Sequence, residues 1–394
     1  MNEVVMLVMT GGPRGAPLER MVTEACEAAT IDTVERALAA PAVSRIVVAT
    51  DSVNLSAALA GLADPRVTAD LDPPGERFHF GARLMQLIHR YHIERVLYFG
   101  GGSGVLLSSA EIARLARALA GADRLFICNN YFSADFAGWT PADAMADLLS
   151  PRFDNELGWL LGDLAGLPVV ALERTASTQF DLDTPTDLLT VAAHPAVGPR
   201  LRAHIAHLDL DATRLNHAIA TLNDSRAEVI IAGRIGAAAW SYLEADTACR
   251  TRVWSEERGM RADGRLFRAE ARSLLGYLLE RVGLDEGVAL LAELGQAAFI
   301  DSRVLLAHFA HWPPAAERFA SDLGRPDLIT HPWLRDFTAA ALAAPIPIIL
   351  GGHSLVAGGL YALVEAALAR ADDTVRRRPN LSPPRPDPLA PWLT

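Results

Sequence analysis

The 394-residue chain contains no lysine, so all 36 of its basic side chains are arginines. That absence excludes Schiff-base chemistry, a lysine general base and an ammonium acting as a point charge on phosphate. Any phosphate handling falls to arginine, backbone N–H groups or a metal ion. Cysteine is scarce too: Cys26, Cys128 and Cys249 are widely spaced, odd in number and in no C-x-x-C arrangement. The pattern argues against a disulfide framework or a zinc knuckle, and buried thiols are expected. The apolar runs are broken by charge or proline well before a membrane-spanning length, and no basic region followed by a cleavable apolar segment opens the chain. A cytoplasmic protein with no membrane partner is therefore expected. A net charge of −11 with a pI near 5.5 disfavours nonspecific nucleic-acid binding.

What is present is a chain long enough for two domains, with 51% hydrophobic residues to fill their cores. Strand-like runs at Val4–Val8, Arg45–Thr50, Arg95–Phe99, Leu125–Cys128 and Leu167–Leu172 alternate with helical patterns at Ile31–Leu38, Arg83–Arg90 and Ala110–Leu119. Such alternation predicts βαβ crossovers and a mostly parallel sheet covered on both faces. Ligands in these sheets sit at the carboxyl ends of the strands, where Gly11-Gly12, Asp51, Gly100-Gly101-Gly102 and Asn129-Asn130 fall. The Thr10–Arg20 loop has paired glycines for close backbone approach to a phosphate, with Arg14 or Arg20 to neutralise its charge. It is neither a Walker A loop nor a dinucleotide fingerprint, and a ligand-free turn reads equally well.

The segment Phe180–Leu188 is more informative. Asp181 and Asp183, two apart in an extended stretch, project to the same side. Two hard oxygen ligands suit a Mg²⁺ that carries substrate phosphates better than Zn²⁺. Thr184-Pro185 then reads as the N-cap and first position of a helix, with Asp187 in its first turn; a well-capped helix after a strand end would look the same.

The Gly11-Gly12 loop, the Ile31–Leu38 helix, the Val47–Asp51 strand end and the Asp-x-Asp-Thr-Pro-x-Asp-Leu ending together resemble the MobA-like nucleotidyltransferases over roughly residues 1 to 195. The resemblance implies a Rossmann-like domain that joins a nucleotide from a nucleoside triphosphate to a phosphorylated small-molecule acceptor, releasing pyrophosphate. Carried over by position, Gly11, Gly12, Arg14, Asp51 and Ser103 would bind the nucleotide, Arg14 and Arg20 would be the catalytic cations, and Asp181 and Asp183 would hold Mg²⁺. Two positions depart from the family. Ser103 stands where an aspartate that ligates the metal is usual, and Arg20 is the nearby candidate for the usual lysine after the glycine loop. A catalytically degenerate nucleotide- or sugar-nucleotide-binding protein is the alternative these departures leave open.

Proline and glycine interrupt the periodicity near residues 193 to 200. Beyond them a second, more helical α/β domain is expected over 200–370, with strands at Ala227–Ala232, Thr251–Ser255, Ala297–Ile300 and Ile346–Leu350. Within it, the Arg250–Arg261 cluster reads as either an anion site or self-paired surface charges, Gly351–Leu360 as an anion site or close glycine packing, and His308 with His311 as packing residues or metal ligands. The Pro/Arg-rich stretch 371–394 is expected to be disordered. An oligomer is compatible with all of this.

Overall fold

The computed structural model describes residues 3–73, 75, 77–371 and 386–393. Its first sheet has seven strands: β1 (Val4–Thr10), β2 (Val43–Thr50), β3 (Val67–Leu71), β4 (Val96–Gly100), β5 (Leu125–Cys128), β6 (Phe136–Thr140) and β7 (Val169–Ala171). Their spatial order is β3-β2-β1-β4-β6-β5-β7, and only β6 runs against its neighbours. Every residue of β1 is buried, as expected of a central strand covered on both faces. The chain is α/β with a mostly parallel Rossmann-like sheet.

The helix after β1 spans Pro17–Leu38, well beyond the eight residues whose periodicity marks it in the sequence. Pro17 sits at its start, and the Glu19 carboxylate accepts the Ala16 N–H at 3.0 Å, so the glycine loop shrinks to six residues and Arg20 lies on the helix.

A second sheet contains β8 (Glu228–Gly233), β9 (Arg250–Ser255), β10 (Ala297–Asp301) and β11 (Ile348–Gly351), all parallel, in the order β11-β10-β8-β9. One apolar cluster joins the two sheets through Val22, Val105, Phe180, Leu188, Leu201, Ile231, Phe299 and Leu360. Polar contacts reinforce it at the crossing. Both Asp32 carboxylate oxygens accept backbone N–H groups, from Arg200 and Leu201 at 2.9 Å each, at the start of the Pro199–Ala206 helix. His194 pairs with Glu365 of the Gly358–Arg370 helix at 3.1 Å.

The expected disorder of 371–394 lies outside the described residues over 372–385. Within 386–393, Leu389 is buried in the apolar cluster that includes Leu119, and Trp392 and Leu393 pack against the same cluster. Three apolar side chains in this short segment find a ready-made surface on the first sheet's helices, which composition alone does not reveal. No helix among the described residues is long and apolar enough to cross a membrane. Cys128 and Cys249 are buried and Cys26 is half-buried, and none of the three forms a disulfide.

Candidate functional site

The centre of the site is the turn after β4. Gly102 takes φ +100°, a left-handed conformation that L side chains rarely adopt, and its carbonyl accepts the Leu182 N–H at 3.1 Å. Ser103 and Asp181 pair as an isolated antiparallel bridge, which seats the Asp181 segment against the carboxyl end of β4. Leu182 points into the core, leaving Asp181 and Asp183 on the opposite side. The helix Pro185–Ala192 begins as its sequence indicates: Thr184 is the N-cap, Pro185 the first residue, and Asp187 accepts the N–H groups of Asp183 and Thr184 at 3.1 and 2.7 Å.

Two further carboxylates join them. The Asp154 carboxylate accepts the Tyr98 hydroxyl at 3.2 Å, and a Cβ on Gly100 would lie 3.3 Å from it. Asp135, just before β6, holds Gly100 through its backbone carbonyl at 2.9 Å and accepts the Asn129 amide on its side chain at 3.0 Å. The antiparallel course of β6 delivers Asp135 to the edge where the parallel strands end.

Four acids around one turn repel each other's ionised forms. Burial, then the charges of Asp183, Asp135, Asp187 and Asp154, holds the Asp181 carboxyl well above the usual range. Burial also raises Asp183, opposed by Arg234, by a hydrogen bond with Asp181 and by Arg261 and Arg303. Asp135 is pushed up to about 7 and Asp154 to about 6, in both cases chiefly by burial. Asp187 rises to about 7 by burial and the Asp183 charge, against hydrogen bonds from Ser354 and Thr184.

The buried Oδ1 of Asp181 has no hydrogen-bond partner among the described residues. An orphaned carboxylate oxygen beside a second acid fits a divalent cation. No group of three or more His, Cys, Asp or Glu side chains among the described residues is placed to hold a metal.

The other sequence-derived candidates occupy two places. Gly11, Gly12, Arg14 and Asp51 meet at the carboxyl ends of β1 and β2. There the Arg14 guanidinium is clamped between Asp51 at 2.9 Å and Glu27 at 2.5 Å, and Arg20 reaches back to the Arg14 carbonyl at 3.1 Å. This loop lies beside the Asp181 segment. On the Pro17–Leu38 helix, Thr23 donates to the Pro13 carbonyl at 3.0 Å while Cys26, three residues on, donates to the Leu182 carbonyl at 3.4 Å. The Ser103 hydroxyl donates to the Gly100 carbonyl at 2.9 Å and borders a small gap against Ala29, Thr30 and Thr33 of that helix. Serine therefore serves the turn itself, while Asp135 and Asp154 supply the extra acids. Asp154 opens the short Asp154–Glu156 turn rather than capping it, and Asp135 carries no local motif; only its position after β5 marks it.

Several other sequence readings resolve. Arg250 and Arg252 pair with Glu228, and Arg265 pairs with Glu257 and Asp263. His308 and His311 pack among Tyr277, Phe309, His331 and Trp333. Within residues 75–81, Glu76 lies outside the described residues, and His79 caps the Phe80–Arg90 helix by accepting the Ala82 N–H at 3.3 Å.

Gly102→Ala is the sharpest local probe of the turn. Its Cβ would meet the Leu182 carbonyl at 2.8 Å and Asp181 Oδ1 at 3.2 Å, in a backbone conformation already unfavourable to alanine. The expected cost is about 1–3 kcal/mol, read as a lower midpoint in thermal unfolding. An unchanged midpoint would show that the turn relaxes without moving Asp181.

No family model and no curated protein sequence matches the chain. Similar solved structures include CMP:2-keto-3-deoxy-manno-octonic acid synthetase complexed with CTP, 13% identical over 42% of this chain and 88% of that one, with a TM-score of 0.30. A cytidylyltransferase from Leptospira borgpetersenii is 14% identical over 49% of this chain and 86% of that one, with a TM-score of 0.36. The 4-diphosphocytidyl-2C-methyl-D-erythritol synthase from Anaerococcus prevotii is 14% identical over 47% of this chain and 92% of that one, with a TM-score of 0.32. Likeness at this level assigns no activity to the chain.

Proposed function

We propose that the protein is a nucleotidyltransferase of MobA-like type that joins a nucleotide from a nucleoside triphosphate to a phosphorylated small molecule. The observation that carries this reading is the unpartnered Asp181 oxygen in a ring of acids at the end of β4. Asp181 and Asp183 would hold Mg²⁺, which when bound neutralises triphosphate charge. Asp135 and Asp154 border the same turn and would order water around that ion. Gly11 and Gly12 offer backbone N–H groups beside it, and Arg14 with Arg20 form the basic side of the loop. An acceptor phosphate oxygen would attack the α-phosphorus in line and displace pyrophosphate. That displacement asks for positioning and charge neutralisation more than for proton transfer, which is consistent with a site that has no lysine.

The test has two stages. Thermal unfolding with ATP, CTP, GTP or UTP plus Mn²⁺ is expected to shift upward for at least one nucleotide, because a ligand that binds only the folded state raises its apparent stability. Pyrophosphate release with that nucleotide and a panel of sugar phosphates then reports turnover. A shift without pyrophosphate from any acceptor favours the degenerate binding protein, the reading that Ser103 and the clamped Arg14 support. No shift with any nucleotide sinks both.

A further inference from the structure

Sheets of this kind take ligands where neighbouring strands send their connections in opposite directions, just outside the carboxyl ends. In the first sheet that place is between β1 and β4, where the glycine loop and the Gly100–Gly102 turn lie. The second sheet has its own. From β8 the chain moves outward to β9, then crosses back so that β10 pairs on the other side of β8. Gly233 ends β8 with φ +126°, and Asp301 ends β10, so close that a Cβ on Gly233 would lie 2.4 Å from the Asp301 Cβ. Arg234 grips Asp301 there in a forked pair, at 2.6 and 3.0 Å.

The Asp181–Asp187 segment packs against the carboxyl end of β11. Asp187 accepts the Ser354 hydroxyl at 2.7 Å on both oxygens, Thr186 donates to the Leu350 carbonyl at 2.7 Å, and Gly352 packs on Thr184. The Asp181–Asp187 segment thus touches the carboxyl end of β4 on one side and that of β11 on the other. Arg261, from the second sheet's side, lies over the Phe153 ring at 5.8 Å, next to Asp154, and its charge acts on Asp183. Asp183 and His353 both keep exposed side chains at these facing ends. Arg258 packs against Gly236 after β8, and its charge acts on His353. No ion pair among the described residues engages Arg258 or Arg261, whereas Arg250, Arg252 and Arg265 nearby are all paired.

We propose that the β8/β10 crevice is a second ligand site, in which Arg258 and Arg261 bind the phosphate of a small phosphorylated molecule beside His353. Two unpaired guanidinium groups match phosphate oxygens in forked geometry, and Asp301 already occupies Arg234. Burial with the charges of Arg234 and Arg258 brings the His353 imidazole down to about 4, so it is neutral near pH 7 and able both to donate and to accept a hydrogen bond. The assignment of this ligand as the acceptor rests on the nucleotidyl-transfer reading; the presence of the site does not.

Thermal unfolding at pH 7.5 and fixed ionic strength tests it, with glucose 1-phosphate, glycerol 3-phosphate and inorganic phosphate as probes against chloride. At least one organic phosphate is expected to raise the midpoint, and R258Q/R261Q to weaken its apparent affinity at least tenfold. D181N/D183N is expected to keep that response while losing the nucleotide–Mn²⁺ one, which separates failure of this site from failure of the triphosphate site. A response to inorganic phosphate alone, no response to any probe, or an unchanged affinity in R258Q/R261Q overturns the proposal.

Discussion

Asp181→Asn with Asp183→Asn is expected to raise the unfolding midpoint of the metal-free protein at pH 7.5 while abolishing its response to nucleotide and Mn²⁺. The sign follows from linkage. Both carboxyls are raised above their ordinary value in the folded protein, as are Asp135, Asp154 and Asp187. Between about pH 4, where an ordinary aspartate ionises, and about pH 7, the folded state holds protons that the unfolded state has released. Stability from these groups is therefore lost as pH rises through that window, whose upper end is set by Asp135 and Asp187 at about 7 and Asp154 at about 6. Replacing two of the five acids with neutral isosteres removes part of the penalty and relaxes the remaining three. A gain on the order of 2–5 °C at pH 7.5, shrinking toward pH 5, is the expected size.

The acid side of the curve belongs to other groups. Asp70 is held below its ordinary value by the Tyr91, Arg83 and Arg90 partners, which outweigh its burial, and Asp301 is lowered by Arg234 in the same way. Their contribution is present above about pH 4 and is lost as pH falls through their depressed values, so variant and parent are to be compared from pH 5 to 8. A midpoint that drops at pH 7.5, or a nucleotide–Mn²⁺ shift that survives the double substitution, would remove Asp181 and Asp183 from the site. Saturating Mn²⁺ should narrow the parent's own pH dependence in the same window, because a cation supplies the charge that protons otherwise supply.

How far this site is legible in the sequence depends on the range of the interactions that build it. Thr184-Pro185 and Asp187 cap their helix through contacts three residues apart, and local pattern finds them. The buried parallel strands read as continuous apolar runs for the same reason. By contrast, β3 (Val-Thr-Ala-Asp-Leu) and β6 (Phe-Ala-Gly-Trp-Thr) carry little strand signal of their own and are specified by pairing with β2 and with β4 and β5. Because β6 is invisible locally, so is Asp135. Arg258 and Arg261 look like their paired neighbours in the sequence; only the facing edges of two sheets distinguish them. The glycine loop shows the opposite case, a local pattern whose arginine is already occupied by Asp51 and Glu27 in three dimensions.

Arg303→Met is expected to destabilise the protein by about 3–5 kcal/mol, among the largest effects of any single substitution at the junction between the sheets. Arg303, the second residue of the Ser302–His308 helix after β10, meets Asp322, at the end of the Ala315–Asp322 helix, through two parallel hydrogen bonds of 2.6 Å. The Arg303 side chain is 8% exposed and that of Asp322 0%, so no water replaces the lost partner. Methionine fills much of the volume but leaves a carboxylate buried without compensation. The midpoint should fall on the order of 5–10 °C in calorimetry. Arg303→Met combined with Asp322→Leu separates the penalty of an orphaned charge from the value of the pair, since exchanging both ions for apolar groups is often near neutral. A double variant that recovers most of the loss places the cost in the orphaned Asp322; one as unstable as Arg303→Met alone assigns it to packing around the pair. The substitution also reaches the candidate site, because the Arg303 charge acts on Asp183 and Asp301. With it gone, Asp183 faces its acidic neighbours with less opposition, so the pH-dependent loss of stability between about pH 4 and 7 should steepen. A variant within 1 °C of the parent would show that the pair is solvated and that the junction does not depend on it.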